Sequence, residues 1–84
     1  MGAGMYDDVL NKVCRTLEDA TSSDPFTIHG DTVLTDVEGW DSLGVVFFLG
    51  EVARLWPRVT VPAADLEGAK VVHDLARVVA ARLG

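Results

Sequence analysis

The sequence predicts an all-α domain, and three observations predict it. Apolar residues recur every three to four positions in three separate stretches, the spacing of one face of an α-helix. Only 7% of the chain is aromatic although 49% is hydrophobic, so the core must be built mostly from Val, Leu and Ala, which suits a helical bundle. The stretches are separated by turn chemistry: Ser22-Ser23-Asp24-Pro25, His29-Gly30-Asp31 and Pro57. Eighty-four residues make one domain, 1–84, small enough that a large internal active site is not expected.

Helix one is expected over about 5–20, where Tyr6, Val9, Leu10, Val13, Leu17 and Ala20 form a stripe and Asp7 and Asp8 complement the dipole of the first turn. Cys14 lies beside that stripe and reads as a small core residue rather than a reactive thiol. Residues 21–41 show no sustained periodicity and read as a long loop, which Phe26, Ile28, Val33, Leu34, Val37 and Trp40 can pin to the bundle. Helix two runs over 42–56 and stops before Pro57. Its core stripe at 100° per residue is Val45, Phe48, Leu49, Val52, Leu55 and Trp56. A short third helix is expected at about 63–67, after Pro62 and closed by Gly68. The last helix is expected at about 70–83, on Val72, Leu75, Ala76, Val79 and Leu83, with Arg77 and Arg82 toward its C-terminus.

The chain is organised around Gly39-Trp40-Asp41-Ser42-Leu43-Gly44, where the polar loop ends and the apolar helix begins. Asp41 is a good N-cap, and Trp40 stands four to five residues before Val45 and Val46, as a hydrophobic staple requires. Unpaired N–H groups and the positive dipole end favour an anion there, so a phosphate esterified to Ser42 would meet a favourable field.

Asp41-Ser42-Leu43 within Gly-Trp-Asp-Ser-Leu resembles the modification site of acyl carrier proteins, and the resemblance extends over nearly the whole chain. It implies a four-helix carrier-protein bundle with a long first loop and a short third helix. It also implies 4′-phosphopantetheine, donated from coenzyme A by a phosphopantetheinyl transferase, on Ser42. On the same resemblance Asp41 helps position the transferase's magnesium and phosphate, and Leu43 contacts partners. The chain would be a monomeric carrier without catalysis of its own, holding acyl intermediates as thioesters for polyketide or other specialised biosynthesis. Acyl- or aminoacyl-loading enzymes and downstream synthase or tailoring enzymes would be its partners. Two alternatives stand beside this reading: a discrete peptidyl carrier that loads an amino acid for nonribosomal peptide biosynthesis, and a helical interaction adaptor whose Asp41 and Ser42 merely cap a helix. At the start of the last helix the chain has Lys70-Val71 where the family commonly has Ser or Thr.

Other classes find little support. Thirteen acids against seven bases give a charge of −6, with no basic stripe for nucleic acid. Basic partner surfaces are the better match. The start Met1-Gly-Ala-Gly has no signal-peptide pattern, no stretch approaches the roughly 20 apolar residues of a membrane span, and a lone cysteine makes no internal disulfide, so a cytoplasmic protein is expected. A hydrolase would need a base and an acid near Ser42, and the motif is not the Gly-x-Ser-x-Gly elbow. His73-Asp74 reads as solvated helix surface, His29 as a lone loop histidine, and no metal is expected.

Opposite the core stripe of helix two fall Leu43, Phe47, Gly50 and Arg54, flanked by Val46 and Glu51. Carrier proteins often place several carboxylates on this face. Here Glu51 alone remains, so the expected partner face is apolar, with Phe47 as its anchor unless the ring turns sideways beneath the long loop.

Overall fold

The structure is a computed structural model that describes the backbone of residues 2–83 and the side chains of residues 6–83; positions 1 and 84 of the expected domain lie outside them. It contains α1 (Gly2–Thr21), α2 (Ser42–Leu55) and α3 (Val72–Leu83), with 3-10 turns at Leu34–Asp36 and Ala63–Leu66. Among the described residues the only extended pairing is one antiparallel bridge between Val33 and Val71. The all-α class stands, but the count of four helices does not. The segment expected as a short helix at 63–67 is a 3-10 turn: Pro62 and Gly68 leave too little chain between them for an α-helical ladder. It closes through i→i+3 bonds, Asp65 N–H to the Pro62 carbonyl at 3.0 Å and Glu67 N–H to the Ala64 carbonyl at 3.3 Å.

Val9, Val13 and Leu17 of α1 form one buried cluster with Phe48 and Val52 of α2 and with Leu75, Ala76 and Val79 of α3. α1 packs along both other helices, and the Ala63–Leu66 turn bridges α2 to α3 through buried Leu66. The stripe on α2 is turned from the expected one: buried Gly44 joins Phe48 and Val52, whereas Leu55 is exposed and Val45, Leu49 and Trp56 are half-buried. Cys14 lies in the core, where burial pushes its thiol pKa up and keeps it protonated. No helix among the described residues is long and apolar enough to cross a membrane.

α1 begins at Gly2, earlier than expected, so Asp7 and Asp8 fall beyond its first turn; Asp8 pairs with Lys12 at 3.0 Å. The helix ends in a Schellman arrangement. Ser23 N–H donates to the Glu18 carbonyl at 2.8 Å and Ser22, with φ of 56°, takes the left-handed position that glycine usually fills.

The 22–41 loop is tied down at two places. Glu18, only 4% exposed, accepts the Ile28 N–H at 3.0 Å on Oε2, and Nη2 of Arg15 donates to the Ile28 carbonyl at 3.0 Å. Arg15 and Glu18 also bond to each other, Nη2 to Oε2 at 3.1 Å; Nε lies 2.9 Å from Oε1 but is not aimed as a hydrogen bond. Both backbone polar groups of buried Ile28 are thereby satisfied, as burial demands. The second tie is the bridge: Leu34 N–H donates to the Lys70 carbonyl at 2.9 Å, Val72 N–H to the Thr32 carbonyl at 3.1 Å and His73 N–H to the Gly30 carbonyl at 2.9 Å.

The second tie also caps α3, which lacks a Ser or Thr at its start. Loop carbonyls take two first-turn N–H groups, and Asp74 reaches back to accept from Lys70 N–H at 2.9 Å and Val71 N–H at 3.2 Å. His73 is not the solvated surface residue its neighbourhood suggests. Its ring stacks on Tyr6, its Nδ1 lies 2.8 Å from the Tyr6 hydroxyl, and it packs so closely on Gly30 that a Cβ there would lie 2.5 Å from Nε2.

The backbone N–H groups of Lys70 and Val71, with Arg77 beside them, hold the Asp74 carboxyl below its ordinary range. A folded pKa below the unfolded one means that the contribution is complete above the ordinary carboxylate range and is lost as pH falls through the lowered folded value. Asp74→Ala should therefore lower Tm at neutral pH, and the gap from wild type should close on acidification. Thermal unfolding across a pH series checks this; a gap that persists unchanged in acid would contradict it.

Candidate functional site

Two glycines allow the chain to turn sharply into α2. Gly39 has φ of +90°, and its carbonyl accepts the Asp41 N–H at 3.0 Å. The same carbonyl presses on Gly44, where an added Cβ would lie 2.2 Å from the Gly39 oxygen. No side chain fits between the turn and the helix. Trp40 leaves the turn toward the core and meets Phe48 edge to face, ring centroids 5.7 Å apart.

Asp41 then caps α2 from an extended backbone. Its Oδ1 accepts from Leu43 N–H at 3.1 Å and Gly44 N–H at 3.0 Å, while its carbonyl accepts from Val45 N–H at 2.9 Å. Ser42 follows as the first helical residue, exposed. One expectation is corrected here. Two of the N–H groups supposed free for an anion are already taken by Asp41, so the helix terminus reaches Ser42 with its positive end partly neutralised by that carboxylate. Ser42 is presented by shape and exposure more than by a vacant anion site.

Beside Ser42 runs an open groove of about 430 Å³ between α2 and the Ala63–Leu66 turn. Trp40, Val45, Val46 and Leu66 supply its apolar walls, and Glu67 is the one charged side chain on it. Sequence reading missed both this groove and the contact of Gly39 with Gly44. Glycines five apart astride an Asp-Ser cap were the available signal for the contact.

Along α2, Leu43, Val46 and Phe47 are 61%, 63% and 53% exposed, and nothing stands within 4 Å of where a Gly50 side chain would begin. Phe47 is neither in the core nor beneath the loop; one flank lines a crevice with Ala20 and Ser22 at the end of α1. Glu51 and Arg54 are paired, Arg54 Nε lying 3.2 Å from Oε2, and this bond holds the Glu51 carboxyl below its ordinary range. The face is thus apolar with one neutralised ion pair. His73 and Asp74 belong to α3 and serve the loop tie and the cap, so they supply no base for Ser42. No three His, Cys, Asp or Glu side chains among the described residues are grouped to hold a metal ion.

Gly44→Ala should cost about 1 to 3 kcal/mol, because the new methyl meets backbone rather than a movable side chain. Gly50→Ala should be neutral or stabilising by up to about 1 kcal/mol through helix propensity alone. Urea unfolding of the two variants checks the contrast, and equal effects would contradict the close approach of Gly39. Compared with known proteins, the chain matches no family model, no curated protein and no solved structure.

Proposed function

We propose that this chain is a discrete carrier protein in which the Ser42 hydroxyl receives 4′-phosphopantetheine from coenzyme A through a phosphopantetheinyl transferase. The terminal thiol then carries acyl intermediates as thioesters between separate enzymes, in polyketide or other specialised biosynthesis. The observation that carries the reading is the exposed Ser42 at the capped start of α2, in the Asp-Ser-Leu setting that resembles carrier proteins. The bundle resembles the family's short-third-helix form, with a 3-10 turn in that helix's place.

Asp41 holds the helix start through Oδ1 and would help position the transferase's magnesium and phosphate. Leu43, Val46 and Phe47 offer the partner face, with open space at Gly50 and the Glu51–Arg54 pair at its far end. A large apolar side chain at the centre of a small interface contributes about 2 kcal/mol or more, whereas an exposed ion pair such as this contributes under about 1. Glu67 on the groove beside Ser42 favours a second version of the same reading, an aminoacyl cargo whose ammonium would meet that carboxylate.

Intact mass after incubation with coenzyme A and a broad-specificity transferase tests the proposal. Wild type should gain one phosphopantetheine, and Ser42→Ala should fold normally yet gain none, because Asp41 retains the cap. A chain that gains nothing supports an unmodified interaction adaptor, and an Ala variant that still gains the mass would move the site elsewhere. Offering acyl and aminoacyl donors with their loading enzymes to the modified protein separates the two cargo classes.

A further inference from the structure

The seam between α1 and α2 opens into a crevice of about 220 Å³ toward the C-terminal end of α2. Lys12 and Asp19 of α1 and Glu51, Arg54 and Leu55 of α2 line it, with Thr16 at its base. Leu55 stands about 20 Å along the helix axis from Ser42, so this crevice is separate from the groove beside the serine.

Thr16 is the residue that the fold does not explain. It is 4% exposed, and its hydroxyl makes no hydrogen bond among the described residues, in contrast to Thr21, whose Oγ1 donates to the Leu17 carbonyl at 2.8 Å. A buried hydroxyl without a partner is costly, and valine has the same shape without that cost. The oxygen is not sealed in the core, and its open side is the crevice.

The charges around it come as opposite pairs rather than as one sign. Arg54 Nε lies 3.2 Å from Glu51 Oε2, and Asp19, on the same crevice, acts on that guanidinium electrostatically. Lys12 is paired with Asp8 at 3.0 Å. Both ion pairs are exposed, and exposed pairs contribute so little that their members exchange partners readily. A simple anion entering here would meet Asp19 and Glu51, and a simple cation would meet Lys12 and Arg54. A molecule with both charges side by side meets neither obstacle.

We infer that this crevice binds a free α-amino acid with a small apolar side chain. The ligand's carboxylate takes Lys12 and Arg54, with the Thr16 hydroxyl as a third donor. Its ammonium sits between Asp19 and Glu51, and its side chain lies on the exposed part of Leu55. The site goes beyond the carrier reading, because binding is noncovalent and requires neither Ser42 nor its modification. Arg15 lines the same crevice and also holds the Ile28 carbonyl, so occupancy is felt at the loop anchor.

The test uses the full chain and three probes of similar size: L-alanine, propionate, which lacks the ammonium, and ethylamine, which lacks the carboxylate. NMR titration at constant ionic strength should show L-alanine shifting the amides of Lys12, Thr16, Ile28 and Glu51 along a saturating curve, and each single-charge probe binding about tenfold more weakly or less. Thr16→Val should weaken L-alanine binding about tenfold while leaving Tm unchanged or raised, because no hydrogen bond within the protein is lost. Arg54→Gln, at an exposed position, should weaken it by a similar factor. Equal binding of propionate or ethylamine, shifts that do not saturate or that centre elsewhere, or undiminished binding in either variant would overturn the inference. A lowered Tm in Thr16→Val would overturn it too, by showing that the hydroxyl serves the fold. The mass assay on Ser42 is read separately, so loss of this site and loss of the carrier reading are distinguishable.

Discussion

The position of the long loop depends on the capture of Ile28 by Arg15 and Glu18. A loop without regular structure would expose its peptide groups to water, yet Ile28 must be buried to complete the core between α1 and the loop. The carboxylate takes its N–H and the guanidinium takes its carbonyl, so the isoleucine side chain enters the core without leaving a backbone group unpaired. Phe26, held at φ of 62°, lays its ring 4.5 Å from the Arg15 guanidinium carbon and shields the pair.

From that anchor the loop runs to the start of α3, pairs through Val33 with Val71 just before that helix, and returns to α2 through the Leu34–Asp36 turn. Its last residues arrive where Gly39 can press against Gly44 and Trp40 can reach Phe48. The exposure of Ser42 follows from these contacts, because Trp40 points inward on one side of it and Asp41 closes the helix on the other. The same path leaves Asp24 and Glu38 on a crevice that adjoins, through Ser22, the one that Phe47 lines.

The start of α2 was legible because cap and staple are local: a carboxylate, a tryptophan and the spacing between them suffice. The class of the fold was legible from periodicity. Glu18 was not, because nothing local distinguishes Arg15 and Glu18, three apart on a helix, from a solvated pair before the loop is folded over them. The start of α3 was blurred for a related reason, since its cap comes from loop carbonyls and from Asp74 inside the helix rather than from a preceding Ser or Thr. His73 acquires its partners, Tyr6 and Gly30, only through tertiary contact. In the candidate site, the serine and its cap came from sequence, whereas the groove with Glu67 required the Ala63–Leu66 turn to be in place.

Native-state hydrogen exchange at the Ile28 amide tests this dependence most directly. If the Glu18 carboxylate holds that N–H as part of the core, the amide exchanges as slowly as those of Val13 and Leu17, and Glu18→Gln, which leaves Arg15 without its charge partner, accelerates it markedly. An Ile28 amide that exchanges as fast as those of exposed Phe26 and Thr27 would show that the loop is not anchored there and that Ser42 is presented by α2 alone.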